Sequence, residues 1–140
     1  MTAPWAAGEE PRVYSIERSG DLVQIRQAIR ALSQECRLSL VDQTKMITAA
    51  SELARNTLIY GGGGTVTAGA VSRAGKRGVG AIFEDSGPGI PDVEQAMTDG
   101  WTSGGGLGLG LSGARRLVDD FALDTAPGDG TTITIIKWVR

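Results

Sequence analysis

Two periods of hydrophobic and polar positions follow one another in the first part of the chain. From Arg12 to Glu17 successive side chains alternate between two faces, which is typical of a β-strand ending at the Ser19-Gly20 turn. From Asp21, which is placed to cap a helix, to about Arg37 the apolar residues recur every three or four positions. These residues are Leu22, Ile25, Ile29 and Leu32. The pattern predicts a strand followed by an amphipathic helix.

The middle of the chain predicts a long helix and a hairpin. The second helix extends from about Val41 to Tyr60 and is ended by four consecutive glycines, residues 61–64. Residues 65–73 and 79–85 then flank a glycine-containing turn over residues 74–78, which is typical of two paired strands.

The last part of the chain adds a third helix and a final strand. The spacing of Leu111, Ala114, Val118 and Phe121 predicts the helix, and the alternation over residues 131–139 predicts the strand. Because strands come in adjacent pairs, we expect an α+β fold: a two-layer α/β sandwich with a mixed, mostly antiparallel sheet and helices on one face. We expect a disordered tail over residues 1–11 and a single domain over residues 12–140.

Composition narrows the possible classes of protein. A chain of 140 residues with 41% hydrophobic content suits one compact domain. Its 14 basic and 16 acidic residues give a formal charge of −2, which argues against a general nucleic-acid or membrane-surface binder.

The first ten residues do not have the pattern of a signal peptide, and no apolar run is long enough to span a bilayer. Cys36 is the single cysteine, and we interpret it as a small buried residue in a cytoplasmic protein.

Two glycine-rich segments predict a nucleotide site. The first reads Asp85-Ser86-Gly87-Pro88-Gly89-Ile90, and the second, residues 104–110, contains five glycines in seven positions and leads into the third helix. A backbone that wraps closely around phosphates needs residues without a Cβ, and the N–H groups at a helix start attract anions. A flexible linker is the alternative, but the regular leucines Leu107, Leu109 and Leu111 are not typical of Gly/Ser linkers.

Two other glycine motifs of nucleotide-binding folds are less consistent with the sequence. Residues 108–113 satisfy the G-x-G-x-x-G pattern, but the segment before them does not resemble the strand that a dinucleotide fold requires. A P-loop is absent, because Gly75-Lys76 is followed by Arg77 rather than Ser or Thr.

The second helix carries a polar pair. Glu52 and Asn56 are four residues apart, so both lie on one face, roughly opposite an apolar stripe formed by Ile47, Ala54 and Leu58. Such a helix can pack its apolar side on the sheet and form one wall of a polar pocket with the other side. The spacing alone is more typical of a solvated helix face, so the interpretation depends on the glycine motifs that follow.

Together these motifs resemble the N, G1 and G2 boxes of the Bergerat-fold (GHKL) ATPases, over nearly the whole chain from about Tyr14 to Trp138. The boxes are Glu52-x-x-x-Asn56, Asp85-x-Gly87-x-Gly89 and the glycine loop at residues 104–110. Within the superfamily the chain is most similar to the anti-sigma regulatory serine kinases, and in particular to the switch kinases of stress-signalling complexes (stressosomes).

The resemblance implies a role for each box residue. It implies that Asp85 accepts a hydrogen bond from the adenine amino group, that Gly87, Gly89 and Ile90 form the turn beneath the base, and that Thr131 supports this contact. It also implies that the glycine loop binds the phosphates. The residues of that loop are Gly104, Gly105, Gly106, Leu107, Gly108, Leu109 and Gly110.

The helical pair takes the chemical roles in the same resemblance. Asn56 resembles a magnesium ligand, and Glu52 resembles the group that orients or deprotonates the nucleophile. The sequence differs from the family pattern in two respects. The chain contains no histidine, and Tyr60 stands where the family often has one. Trp101, just before the glycine loop, can shield a nucleotide, contact a partner or pack in the core.

The expected function is an ATP- and Mg-dependent protein-serine kinase whose substrates are STAS-domain antagonist proteins, with a metal-dependent phosphatase or a sigma factor as further partners. We expect no nucleic-acid or membrane partner. Two alternatives remain: a nucleotide-binding switch that sequesters a partner, and a stand-alone ATPase.

Overall fold

The computed structural model describes residues 3–97 and 110–140, which form one five-stranded sheet with helices on one face. The strands lie in the order β1-β2-β3-β5-β4. Their bounds are β1 Arg12–Ile16, β2 Gly64–Arg73, β3 Lys76–Asp85, β4 Asp120–Thr125 and β5 Thr131–Trp138. All four pairings between neighbouring strands of the described residues are antiparallel. We expected a mixed, mostly antiparallel sheet, and these strands form no parallel pair.

Within residues 3–97 and 110–140, four helices accompany the sheet: α1 Ser19–Glu35, α2 Leu40–Ile59, the short α3 Val93–Ala96, and α4 Leu111–Leu117. Helix α2 begins where the Ser39 hydroxyl accepts a hydrogen bond from the Asp42 N–H at 3.1 Å. Its buried residues share the core with Ile25 and Ile29 of α1 and with alternate residues of β2, β3 and β5. The predicted layering, with helices on one face of the sheet, is therefore confirmed.

The third helix is shorter than its hydrophobic spacing predicted. It ends at Leu117, and Phe121 lies in β4, where it pairs with Ile135. Val118 and Phe121 continue the helical spacing and both contact the core, but Phe121 does so from β4, through its pairing with β5. The hairpin is confirmed, with a two-residue turn at Ala74-Gly75 instead of the five-residue turn expected.

The expectation of a disordered tail does not hold for residues 3–11. Ala6 N–H donates to the Ala70 carbonyl at 2.9 Å and Ser72 N–H to the Pro4 carbonyl at 2.9 Å, so this segment pairs with the end of β2. Trp5 packs on an apolar cluster of the outer sheet face, formed by Ala3, Val71, Ile82, Ile136 and Trp138. The small and charged residues of this segment indicated disorder, but the long-range pairing orders it.

A buried lysine joins three elements at the far end of the sheet. Lys137 is 4% exposed, and its Nζ lies 3.6 Å from Asp42 Oδ1 and 3.4 Å from Asp119 Oδ1. Asp119 also accepts from the Trp138 N–H at 2.7 Å. The start of α2, the start of β4 and the end of β5 are thereby held together.

Candidate functional site

The predicted acidic turn leaves the end of β3 and closes on itself. Asp85 is half-buried, and its Oδ1 accepts from the Gly87 N–H at 2.9 Å. At the end of the turn, the Ile90 N–H donates to Thr125 Oγ1 at 2.9 Å. The turn is therefore fixed at both ends, once by its own carboxylate and once by a hydroxyl of β4.

Two threonines connect this turn to the β4–β5 hairpin. Thr125 and Thr131 are paired across the hairpin, and their hydroxyl oxygens are 3.0 Å apart. Thr125 Oγ1 also donates to the Gly130 carbonyl at 2.9 Å. Thr131 in turn pairs with Asp85 across β3 and β5. The polar groups of the acidic turn and of the β4–β5 hairpin are thus linked in one chain of hydrogen bonds.

Two glycines allow the acidic turn and the hairpin loop to touch through their backbones. Gly89 has φ +75° and Gly130 has φ +79°, both in the left-handed region. A Cβ on Gly89 would overlap the Ala126 carbonyl, and a Cβ on Gly130 would overlap the Asp85 carbonyl. The N–H of Gly128 closes the contact by donating to the Pro88 carbonyl at 2.7 Å. A residue with a Cβ at either position would separate the two segments.

The environment of Asp85 shifts its titration. Burial raises the pKa of this carboxyl above its ordinary value of 3.8, and hydrogen bonds from the backbone N–H groups of Gly87 and Thr131 oppose the rise. A carboxylate held by two backbone donors and still partly desolvated can accept one further hydrogen bond from a ligand.

Helix α2 forms the opposite wall. Asn56 and Tyr60 line a pocket together with Asp85 and Thr131. The other lining residues are Leu53, Thr57, Phe83, Ile90, Leu111 and Ile133. Two predicted ligands from distant parts of the sequence, Asn56 and Asp85, therefore face the same pocket, which combines an apolar interior with a few polar groups.

Glu52 lies one turn before Asn56, next to the start of α4. A Cβ on Gly110 would come within 2.6 Å of Glu52 Oε2, so the carboxylate rests against the backbone at the N-terminal end of that helix. Gly110 has φ +65°. The predicted base and the last residue of the predicted phosphate loop are thus neighbours. The rest of that loop, Gly104–Leu109, and Trp101 lie outside the described residues.

Sequence reasoning missed some residues of the site. Thr125 was not a candidate, although it contacts both the acidic turn and Thr131. Tyr60 was noted only as a departure from the family pattern. Gly61 was interpreted only as part of a helix stop, yet a Cβ there would overlap the Asp85 side chain. The sequence signal for Thr125 is that its hydroxyl pairs with another hydroxyl across the hairpin. That pairing can be recognised only when the register of the two strands is known.

A separate groove of about 340 Å³ lies between α1 and the edge of the sheet. Its rim carries the carboxylates of Glu9, Glu10 and Glu35 beside one basic residue, Arg12. Carboxylates repel a triphosphate, and none of the predicted site residues lines this groove. The pocket beneath α2, which contains several of the predicted site residues, is therefore the candidate nucleotide site.

Comparison with known proteins identifies the family of this chain. Residues 41–139 match the family described as histidine kinase-, DNA gyrase B- and HSP90-like ATPase. The serine/threonine-protein kinase RsbT of Bacillus subtilis is 47% identical over 120 residues, which cover 86% of this chain and 90% of that protein. The anti-sigma F factor of Clostridium novyi is 28% identical over 140 residues, covering 96% of this chain and 97% of that protein.

Solved structures support the fold. The catalytic domain of the histidine kinase ThkA, in a nucleotide-free form, has a TM-score of 0.53 at 19% identity and covers 91% of this chain and 95% of that domain. A second nucleotide-free form has the same TM-score at 20% identity. The chain belongs to the histidine kinase-, DNA gyrase B- and HSP90-like (GHKL) ATPase family and, within it, is a relative of the serine/threonine kinase RsbT.

Proposed function

We propose that this protein is an ATP- and Mg-dependent protein-serine kinase of the RsbT type, which phosphorylates STAS-domain antagonist proteins in a partner-switching pathway. The observation that supports the proposal is that the residues predicted to bind the base and the residues predicted to take part in the chemistry lie at the same pocket. Asp85 and Thr131 line the pocket as acceptors for a base, while Asn56 lines it from α2 and Glu52 lies on the adjacent turn.

The chemistry of the described residues suits an adenine nucleotide, although the cavity among them measures only about 20 Å³, so its walls would have to separate to admit the base. The Asp85 carboxylate, already held by two backbone N–H groups, is an acceptor for the 6-amino group of adenine. Leu53, Phe83 and Ile133 supply apolar surface for the ring. Gly110 brings backbone without a Cβ next to Glu52, at the end of the segment assigned to the phosphates.

Magnesium fits the same site through oxygen donors. The described residues contain no group of three or more His, Cys, Asp or Glu side chains arranged to hold a metal. A single amide oxygen from Asn56, completed by phosphate oxygens and waters, is the kind of ligand set that Mg²⁺ accepts. When bound, the ion supplies charge neutralisation for the transferring phosphoryl group.

Glu52 supplies the proton chemistry in this proposal. A seryl hydroxyl brought within hydrogen-bond distance of its carboxylate is oriented and gives up its proton to it as the seryl oxygen bonds to the γ-phosphorus of ATP; the bond from that phosphorus to the bridging oxygen breaks and ADP leaves. The acceptor serine belongs to a second protein, in keeping with the RsbT relationship. We also propose a cytoplasmic location. No helix in the described parts of the chain has the length and hydropathy needed to cross a membrane.

The test is phosphate transfer from labelled ATP to a purified STAS-domain protein in the presence of magnesium. We expect Glu52→Gln to lower the transfer rate by about 10²-fold or more with ATP affinity largely kept, and Asn56→Ala to lower both nucleotide affinity and rate. The control is Arg30→Gln, an exposed substitution on α1. Unchanged transfer in both site variants would overturn the assignment of roles.

A second candidate function is a nucleotide-dependent switch that sequesters a sigma factor, with slow phosphate transfer. Its support is the 28% identity to an anti-sigma F factor over almost the whole chain. Partner affinity measured with and without ATP, together with turnover, separates the two functions. Tight nucleotide-dependent binding without a phosphorylated product would favour the switch.

A further inference from the structure

We propose that Thr125 determines the base specificity of the nucleotide site by fixing the direction of the Thr131 hydroxyl. The inference rests on the proposed function, because it assumes that the pocket beneath α2 holds a nucleotide. Neither the family relationship nor the sequence motifs assign a role to Thr125.

The number of protons on Thr125 limits the hydrogen bonds that it can donate. A threonine hydroxyl has one proton to donate and can accept two hydrogen bonds. The Gly130 carbonyl, 2.9 Å from Thr125 Oγ1, can only accept, so it takes the Thr125 proton. The Ile90 N–H, also at 2.9 Å, can only donate, so it occupies one acceptor position of the same oxygen.

This leaves one arrangement for the contact between the two threonines. The oxygens are 3.0 Å apart, and the Thr125 proton is already used, so Thr131 must donate to Thr125. The Thr131 hydroxyl therefore turns its proton away from the ligand. Since Thr131 lines the pocket beside Asp85, the oxygen that it presents to a ligand has only lone pairs to offer.

Two neighbouring hydrogen-bond acceptors distinguish purines by the group at position 6. Asp85 and Thr131 both match the 6-amino group of adenine, which has two protons to donate, either directly or through a water. A 6-oxo purine such as hypoxanthine or guanine would place an acceptor against two acceptors. A site built to bond a particular donor rejects a ligand that lacks it much more strongly than an apolar pocket does.

Removal of the Thr125 hydroxyl would release this constraint. In Thr125→Val the Thr131 hydroxyl would lose its acceptor and could rotate to donate to a 6-oxo group. We expect the ratio of ATP affinity to ITP affinity to fall by about tenfold, the equivalent of one hydrogen bond. Thr125→Ser keeps the hydroxyl and should keep the ratio.

The experiment is calorimetric titration of the full chain with Mg-ATP and with Mg-ITP, which differ in the base at position 6. The variants are Thr125→Val, Thr125→Ser and the control Thr134→Val. Thr134 is 2% exposed and lies three residues after Thr131 on the other face of β5, so its loss should not change the ratio. Thermal unfolding of each variant checks that it is folded.

A second substitution, Thr131→Val, removes the proposed reading oxygen while the Ile90–Thr125–Gly130 bonds remain possible, and should also lower the ATP to ITP ratio. If the wild type prefers ATP and Thr125→Val keeps that preference in a folded protein, Thr125 has only a structural role and the inference is wrong. If the wild type binds neither nucleotide, the proposed function itself fails.

Discussion

The carboxylate of Glu52 lies so close to Gly110 that a Cβ on the glycine would be 2.6 Å from Oε2. Helix α2 and the start of α4 are therefore in close contact at the point where the proposed catalytic base lies beside the end of the proposed phosphate loop. Changes in the backbone around Gly110 should reach the chemistry through this contact.

We predict that Gly110→Ala displaces Glu52 and lowers the rate of phosphate transfer by about ten- to a hundredfold, because small misplacements of a catalytic group are costly. The residue also has φ +65°, which an alanine adopts poorly. Single-turnover transfer to the protein substrate measures the effect.

Gly113→Ala is the matched control, since a Cβ at that position meets nothing within 4 Å. It should leave the transfer rate unchanged and stabilise α4 by less than about 1 kcal/mol. A double-mutant cycle with Glu52→Asp, which shortens the acid by one methylene, should show coupling with Gly110→Ala. Strict additivity would contradict the contact as the cause.

We predict that Gly130→Ala destabilises the fold by more than about 3 kcal/mol and abolishes nucleotide binding, because its Cβ would overlap the Asp85 carbonyl. Gly128→Ala separates strain from overlap: Gly128 has φ +82°, but a Cβ there meets nothing within 4 Å. It should cost only about 1–2 kcal/mol. Urea unfolding measures both, and equal losses would mean that backbone strain alone is responsible.

Asp85 should give the ligand-free protein an unusual dependence on pH. Its folded pKa is raised above 3.8 by burial, so the native state binds its proton more tightly than the unfolded state does. The contribution of Asp85 to the free energy of unfolding therefore grows as the pH falls from neutral through the raised pKa, and is complete below 3.8.

The measurement compares wild type with Asp85→Asn at pH 7 and at pH 4 without nucleotide. The asparagine does not titrate, so we expect the stability difference to shift in favour of the wild type at pH 4. A shift in the opposite direction would mean that the hydrogen bonds from Gly87 and Thr131 outweigh burial. Asp85→Asn should also weaken ATP binding at pH 7 by tenfold or more.

We predict that Trp5→Ala lowers the free energy of unfolding by about 2 kcal/mol, since the indole covers the apolar cluster on the outer sheet face. ATP affinity should not change, because the nucleotide pocket is on the helix side. Val13→Ala, at a residue that is 66% exposed, is the control and should have little effect. Equal stability of wild type and Trp5→Ala in urea would contradict the packing of this segment.

The parts of the site that were predictable depend on local rules. The four-residue spacing of Glu52 and Asn56 places them on one helix face, and the acidic turn is identified by its own glycines. Thr125 was not predictable, because its partners Ile90 and Thr131 are determined by strand pairing rather than by neighbours in sequence.

The errors in the fold have the same origin. Phe121 continues the helical period of α4 by coincidence, and only its pairing with Ile135 assigns it to a strand. Residues 3–11 have the composition of a free tail, but β2 offers unpaired backbone and the outer face offers an apolar cluster for Trp5. Tertiary contacts of this kind leave no local signal.

The walls of the pocket come from segments far apart in sequence: α2, β3 with the turn after it, the start of α4, and β5. A nucleotide bound among them would act as a non-covalent crosslink, adding about 2.7 kcal/mol of resistance to unfolding at a hundredfold excess over its dissociation constant. The free energy of unfolding of the protein would then depend on the concentration of free nucleotide.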